Sequence, residues 1–206
     1  VRLLALFALR KALRRAGARF VAGVDEVGVG PLAGPVVAAA VVLPDDAFLP
    51  GLDDSKRLDP AARARLDAQI RAQAVALSVA EVAPAEIDRV NVLQASLCAM
   101  ARAVKGLGVP VDHVLVDART IPDLVIPQTA LVHGDALDGS IAAASIVAKV
   151  HRDAQMEGLD RLHPGYAFGV HKGYPTPAHL EALRRLGPSP VHRRSFAPVA
   201  ACEVRS

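Results

Sequence analysis

The sequence contains few aromatic residues and little cysteine. Aromatic side chains make up 3% of its 206 residues, tryptophan does not occur, and the two cysteines are Cys98 and Cys202. They offer neither a disulfide framework nor the paired spacing of a Cys/His zinc site. This excludes a small disulfide-rich scaffold and indicates a reducing compartment. We therefore expect a cytoplasmic protein.

Long hydrophobic runs are also missing. No apolar run approaches the roughly 20 residues that span a bilayer, so we expect no membrane association. In residues 1–18 a short apolar part is followed directly by basic residues, where a secretory signal would place small residues and a cleavage site. They predict a loosely attached, basic, amphipathic helix, with an organelle presequence as the alternative.

Several catalytic and nucleotide-binding motifs are absent. The chain has no phosphate-binding P-loop, no G-x-S-x-G and no H-E-x-x-H, and Gly28, Gly30 and Gly34 do not have the spacing of G-x-G-x-x-G. A nucleotide-binding metabolic enzyme and a serine hydrolase are therefore poorly supported.

The bulk composition is that of a globular protein. Hydrophobic residues make up 52% and charged residues 22%, with a net charge of +3 and a pI of about 9.1. The basic balance is compatible with a polyanionic partner without requiring one. Nothing in the pattern calls for more than a monomer.

The alternation of apolar runs and turn signals predicts an α/β layered domain. Phe20 to Leu43 contains two β-branched runs separated by a Gly/Pro break, which indicates two strands joined by a turn. Further strands are predicted at 75–82, 113–117 and 130–133. Helices are predicted at 60–74, 84–106, 139–158 and 177–186, the second with a buried stripe that includes Leu93 and Leu97.

Three predicted strands end in acids: Asp25-Glu26, Asp117 and Asp135. If these carboxylates converge, they could hold Mg²⁺ or Mn²⁺, and two such ions about 3.5–4 Å apart suit phosphodiester hydrolysis. The alternative is a set of scattered loop acids. Because neighbouring side chains on a strand point to opposite faces, we expect the backbone to leave strand geometry at Asp25-Glu26 if both serve one site.

The chain also contains candidates for contacts with a polyanion. In the helix at 139–158, Ser145, Lys149 and Arg152 share the face opposite an apolar stripe that includes Ala154. Taken singly, each charge fits a solvated surface better than a contact. The remaining candidates are Lys56, Lys172, the run 192–194, and Tyr174, which could stack on a sugar or a base or pack the tail onto the body.

Long segments of the chain resemble one known family. They are GVDEVGVGPLAGPVV at 23–37, DDSKRL at 53–58, HVLVDAR at 113–119, HGDALDGSIAAASIVAKVHRD at 133–153, HPGYAFGVHKGYPTPAHLEAL at 163–183 and HRRSF at 192–196. Together and in this order they are similar to type 2 ribonuclease H, ribonuclease HII.

The resemblance implies an RNase H-like fold, with a mixed central sheet flanked by helices and a small C-terminal helical cap. It divides the chain into an extension (1–18), a catalytic domain (19–160) and a cap that contributes to substrate binding (161–206). It implies an endonuclease that cuts the RNA strand of RNA–DNA hybrids. Such an enzyme also nicks 5′ to a single ribonucleotide in duplex DNA, leaving a 3′-hydroxyl and a 5′-phosphate.

The resemblance also implies roles for individual residues. Asp25, Glu26, Asp117 and Asp135 match the family's catalytic and metal-binding positions, which hold two Mg²⁺ or Mn²⁺ ions. The turn at 28–30 corresponds to the loop that reads the ribose 2′-hydroxyl through backbone groups, and Tyr174 to a tyrosine that stacks on the sugar at the RNA–DNA junction.

The sequence departs from the family pattern at one position of this turn. Val29 stands where the family has arginine, so a cationic contact near the scissile phosphate is missing. The backbone contacts of Gly28 and Gly30 can survive that change. A second hypothesis is therefore a module that binds hybrids but cuts them poorly.

Overall fold

The structure is a computed structural model that describes residues 7–53, 55 and 57–203. Its strands are β1 (Val21–Val27), β2 (Val36–Val42), β3 (Ala76–Val82), β4 (His113–Asp117) and β5 (Gln128–Leu131). Its helices are α1 (Ala8–Arg15), α2 (Pro60–Gln73), α3 (Pro84–Val90), α4 (Val92–Lys105), α5 (Gly134–Leu137), α6 (Gly139–Leu162), α7 (Phe168–His171), α8 (Pro177–Leu186) and α9 (Ala197–Glu203).

The five strands form one mixed sheet in the order β3-β2-β1-β4-β5. The β1–β2 and β2–β3 pairs are antiparallel, while β1–β4 and β4–β5 are parallel. The predicted mixed sheet and the predicted β1–β2 strand pair are therefore confirmed. Because β1, β4 and β5 run in the same direction, their carboxyl ends meet at one edge of the sheet.

Helices cover both faces of the sheet, as predicted. Val24 and Val36 belong to a core formed with α4 on one face, while Ala39 and Val41 belong to a core formed with α6 on the other. Residues 139–148 of α6 are all buried. No helix in the described part of the chain is long and apolar enough to cross a membrane.

Helix α6 approaches β1 closely at Gly23. A Cβ atom placed on Gly23 would lie 2.1 Å from the carbonyl carbon of Ser140, a separation that real side chains do not reach. The absence of a side chain therefore allows the two backbones to touch. This contact places the buried half of α6 directly beside the end of β1.

The single helix predicted at 84–106 is wrong, because two helices occupy that range. Asn91 has a left-handed φ of 68°, which ends α3, and its side-chain oxygen accepts a hydrogen bond from the N–H of Gln94 at 3.1 Å as the cap of α4. The predicted buried stripe is correct in part, since Met100 and Val104 of α4 are buried. Its buried stripe includes Ala95 and Ala99, while Leu93, predicted to be buried, is 41% exposed.

The strand predicted at 130–133 ends earlier, at Leu131. His133 has φ 58° and ψ 43°, a left-handed conformation that turns the chain out of the sheet and into α5. Asp135 therefore lies in a helical turn beside the sheet edge. Helix α6, by contrast, continues past the predicted residue 158 to Leu162.

The N-terminal helix is packed on the body of the protein. Arg10 is 2% exposed and donates hydrogen bonds to the carbonyls of Leu43 at 2.8 Å and Pro44 at 2.9 Å, and Phe7 is buried. The expected loose attachment is therefore wrong for α1. The start of the predicted helix, at 1–6, lies outside the described residues.

The segment after α6 folds around buried aromatic and histidine rings. Tyr166 stacks on Phe168 with ring centroids 5.1 Å apart, and Phe168 contacts His179 and His192. The N–H of Ser189 donates to His192 Nδ1, so His192 Nε2 donates to His179 Nε2, and His179 Nδ1 then donates to the carbonyl of Tyr174. The chain of bonds requires both imidazoles to be neutral.

This histidine pair predicts a loss of stability in acid. Burial, reinforced by His179, lowers the pKa of His192 from 6.5 to about 4. The contribution of neutral His192 to the free energy of unfolding is fully present above pH 6.5. It is lost as the pH falls towards 4, because in that range only the unfolded chain takes up the proton. Between pH 7 and 4.5 it should cost about 2–3 kcal/mol of the unfolding free energy.

Urea unfolding at the two pH values, on the wild type and on His192→Gln, measures this effect. The variant should be less stable at pH 7 but lose less stability on acidification. Equal losses in the two proteins would show that His192 is not the group responsible.

Candidate active site

The two acids of β1 lie on opposite faces of the sheet. Strand β1 continues to Val27, so the expected departure from strand geometry does not occur. Asp25 is 5% exposed and accepts a hydrogen bond from Ser145 of α6, while the half-buried Glu26 accepts one from Ser96 of α4. The site therefore wraps around the end of the sheet instead of lying on one face.

Asp117 lies beside this pair at the end of β4. Strand β4 is paired with β1 in parallel, with Val116 opposite Val24, so Asp117 follows directly at the same edge. Its Oδ1 accepts a hydrogen bond from the N–H of Gly134 at 2.7 Å. Asp135, 6% exposed, follows in the first turn of α5. Three strand ends thus bring the four predicted acids to one edge of the sheet.

The acids interact electrostatically. Burial, and secondly the charge of Glu26, raises the pKa of Asp25 well above its usual value, with a smaller contribution from Asp117. Burial, and secondly the charge of Asp117, raises the pKa of Glu26. Both shifts reflect negative charge held in a poorly solvated site. Such a site favours a proton or a cation.

The donor set fits a hard divalent cation. Carboxylate oxygens are ligands that Mg²⁺ and Mn²⁺ prefer, and a cation would remove the repulsion that raises the pKa values of Asp25 and Glu26. Among the residues that the structure describes, no three acidic, histidine or cysteine side chains already have a ligating arrangement. The chemistry of the site therefore fits a metal, and ion binding would require the carboxylates to adjust.

Two groups at this edge were missed by sequence reasoning. A cavity of about 240 Å³ is lined by Glu26 and Asp117 together with Ser96, Val29 and Arg119. Arg119 lies close enough to lower the pKa of Glu26. Ser96 interrupts the small apolar residues on the buried face of α4, a signal that becomes visible only once the helix register is known. Arg119 ends the matched segment 113–119, but the sequence does not show that it lies near Glu26.

The glycine-rich turn and Tyr174 lie together next to the acids. Gly28 has φ 90°, and Val29 is 37% exposed. A Cβ placed on Gly30 would lie 3.6 Å from Cε1 of Tyr174, whose side chain is 42% exposed. The N–H of Leu32 donates to the carbonyl of Gly173 at 2.8 Å and joins the two segments. An exposed ring therefore stands beside an exposed stretch of backbone.

Arg152 does not lie on an exposed face of α6, although the sequence predicted that it would. Its side chain is 0% exposed and donates to the carbonyls of Pro35, Ala33 and Lys172, while Ala154, expected in the apolar stripe, is exposed. The second half of α6 runs under the glycine-rich turn, where inward-pointing carbonyls need donors. Arg193, expected to be solvated, is also 0% exposed.

The other candidates have varied positions. Ser145 lies at the site, with its Oγ 2.9 Å from the Oγ of Ser55. Lys149 pairs with Asp153 at 2.7 Å, and Lys172 pairs with Glu157 at 2.8 Å, so a phosphate contact by either lysine would compete with that pair. Lys56 lies outside the described residues.

Comparisons with known proteins identify the family of the chain. The sequence model of the family described as Ribonuclease HII matches residues 22–199. Ribonuclease HII from Geobacillus kaustophilus is 57% identical over 194 residues, covering 94% of this chain and 74% of the relative.

Solved structures show the same fold. The ribonuclease H2 from Pyrococcus horikoshii superposes with a TM-score of 0.75 at 28% identity, covering 91% of this chain and 98% of that one. Bst-RNase HIII, solved in complex with Mn²⁺, has a TM-score of 0.75 at 21% identity, covering 94% of this chain and 72% of that one.

The fold and the family match define the class: the protein is a ribonuclease H, an endonuclease of RNase H-like α/β architecture. Within that class, the chain belongs to the ribonuclease HII family.

Proposed function

We propose that this ribonuclease H hydrolyses the RNA strand of RNA–DNA hybrids and nicks duplex DNA 5′ to a single embedded ribonucleotide. The observation that carries the proposal is the position of Asp25, Glu26 and Asp117. They form one electrostatically coupled cluster beside an exposed glycine-rich turn and an exposed tyrosine. Hydrolysis needs the acids, and recognition of a ribose needs groups next to them.

Asp25, Glu26, Asp117 and Asp135 would hold Mg²⁺ or Mn²⁺, in the two-ion arrangement that the family resemblance implies. When bound, the metal supplies Lewis-acid activation for phosphodiester hydrolysis with a 3′-hydroxyl and a 5′-phosphate as products. The hydroxyl of Ser145 holds the Asp25 carboxylate, and the N–H of Gly134 holds that of Asp117.

Recognition of the ribonucleotide is proposed for the turn at 28–30 and for Tyr174. Backbone groups of the turn contact the 2′-hydroxyl, the group that distinguishes RNA from DNA, and the tyrosine ring stacks on the sugar. Residues 161–206, which carry Tyr174, would act as the substrate-binding cap. Lys56, Lys149 and Lys172 are proposed phosphate contacts, and we propose that the enzyme acts as a monomer.

The test is a cleavage assay on duplex DNA with one ribonucleotide in an end-labelled strand, in Mg²⁺, Mn²⁺ or EDTA. We expect one nick on the 5′ side of the ribonucleotide, present with either ion and absent with EDTA. A polymerase extends only a strand that ends in a 3′-hydroxyl, so extension of the product identifies the reaction. Cleavage that continues in EDTA, or that ignores the ribonucleotide, would contradict the proposal.

The same assay on Val29→Arg tests the second hypothesis, a module that binds but cuts poorly. A large gain of cleavage in the variant, with binding already strong in the wild type, would favour the binding module. Comparable rates in both proteins would favour the enzyme as it stands.

A further inference from the structure

Two buried arginines bind the inner side of the glycine-rich turn. Arg193 donates to the carbonyls of Gly28 at 2.6 Å, Val29 at 3.0 Å and Gly34 at 2.9 and 3.0 Å. Arg152 donates to those of Pro35 at 3.0 Å and Ala33 at 3.1 Å. Both side chains are 0% exposed. Most carbonyls between residues 28 and 35 are thereby held on the protein side of the turn.

The outer side of the same turn has donors without acceptors. Val29 and Gly30 are exposed, and in the part of the chain that the structure describes neither N–H group has a hydrogen-bond acceptor. Successive backbone N–H groups without acceptors form a concave surface that suits an electron-rich oxygen, and here the neighbouring carbonyls are turned inward to the arginines. The turn is therefore a set of donors facing away from the protein.

The two arginines also place positive charge under this turn. Neither guanidinium has a carboxylate at ion-pair distance among the described residues, and burial followed by the charge of Arg152 lowers the pKa of Arg193. Burying unpaired like charges is unfavourable unless hydrogen bonds compensate. All of their described hydrogen bonds go to neutral carbonyls. Asp88 acts on Arg193 and Asp153 on Arg152 without ion-pair contact, so the carboxylates offset the charge beneath the turn only in part.

We propose that Arg152 and Arg193 are positioning residues that hold the turn with its carbonyls inward, so that the Val29 and Gly30 amides bind the 2′-hydroxyl oxygen of a ribonucleotide. This inference rests on the proposed function and extends it. Arg152 further donates to the carbonyl of Lys172 at 3.0 Å, which ties the turn to the segment that carries Tyr174.

The test measures how well the protein distinguishes a ribonucleotide. Binding is followed by fluorescence anisotropy in EDTA with two duplexes that differ only in one 2′-hydroxyl. The ratio of the Kd for the all-DNA duplex to the Kd for the ribonucleotide duplex is then compared between the wild type and the variants. Arg193→Lys and Arg152→Lys keep the charge but lose the planar fork that holds several carbonyls. We expect the ratio to fall about five- to tenfold in each, the effect of roughly one lost hydrogen bond.

The matched control is Arg71→Lys, an exposed arginine of α2, which should leave the ratio unchanged. A purely structural role would lower thermal stability in the two lysine variants without changing the ratio, and that result overturns the inference. If either variant does not fold, hydrogen exchange of the backbone amides is measured on the wild-type protein instead. The Val29 and Gly30 amides should be protected by the ribonucleotide duplex and not by the all-DNA duplex, and equal protection overturns the inference.

Failure of the proposed function has a separate signature. A wild-type ratio near one, together with no nick in the cleavage assay, overturns both the proposed function and this inference. A wild type that nicks and discriminates, alongside lysine variants that discriminate equally well, overturns only the role of the arginines.

Discussion

Replacing Asp25 or Asp117 by asparagine is expected to abolish cleavage and leave the fold at least as stable. Each carboxylate lies in the coupled cluster, so its loss removes a proposed metal ligand. The rate should fall by more than the ~100-fold that loss of a group supporting a metal ligand typically costs. Because Asp25 is buried beside Glu26 and its pKa is raised, a neutral side chain relieves repulsion at neutral pH.

Single-turnover cleavage and thermal unfolding in EDTA measure the two effects. Addition of Mn²⁺ should raise the unfolding temperature of the wild type more than that of either variant, which reports on the metal without cleavage. Asp67→Asn provides the control, because Asp67 is a carboxylate outside the acid cluster that pairs with Arg71 on α2. Full cleavage by both Asp25→Asn and Asp117→Asn would exclude this site.

The second large effect is expected at Gly28. Its φ is 90°, and a Cβ added there would lie 2.3 Å from Nε of Arg152 and 2.8 Å from the carbonyl of Pro35. Gly28→Ala therefore combines an unfavourable backbone conformation with a collision against a buried guanidinium. It should reduce the unfolding free energy by about 2–4 kcal/mol and weaken nicking by displacing the turn.

Gly30 provides the matched control two residues away. A Cβ at Gly30 would be 3.6 Å from Tyr174 Cε1, an ordinary van der Waals contact, so Gly30→Ala should unfold like the wild type. Urea unfolding of both variants makes the comparison. Equal stability of the two alanine variants would mean that Arg152 does not pack against the turn as described.

Much of the fold could be predicted because it depends on local pattern. The β1–β2 pair follows from two β-branched runs around a Gly/Pro break, and α8 has the predicted bounds, with Thr176 as its cap and Pro177 in its first turn. The helix break at Asn91 was missed, because no proline or glycine marks the position of its left-handed conformation. A polar residue between two apolar helical segments is as compatible with one helix as with two.

The sequence by itself determined that the acids belong to strand ends and that a glycine-rich turn follows Asp25-Glu26, because strand runs and glycine positions depend on near neighbours in the chain. Only the tertiary structure decided that Asp25 and Glu26 face different helices and that Arg152 is buried. The contacts responsible are remote: Arg152 binds the carbonyl of Pro35, 117 residues away. A charged side chain is predicted to face solvent unless its distant acceptors are known, and it was the folded chain that brought those carbonyls to the arginine.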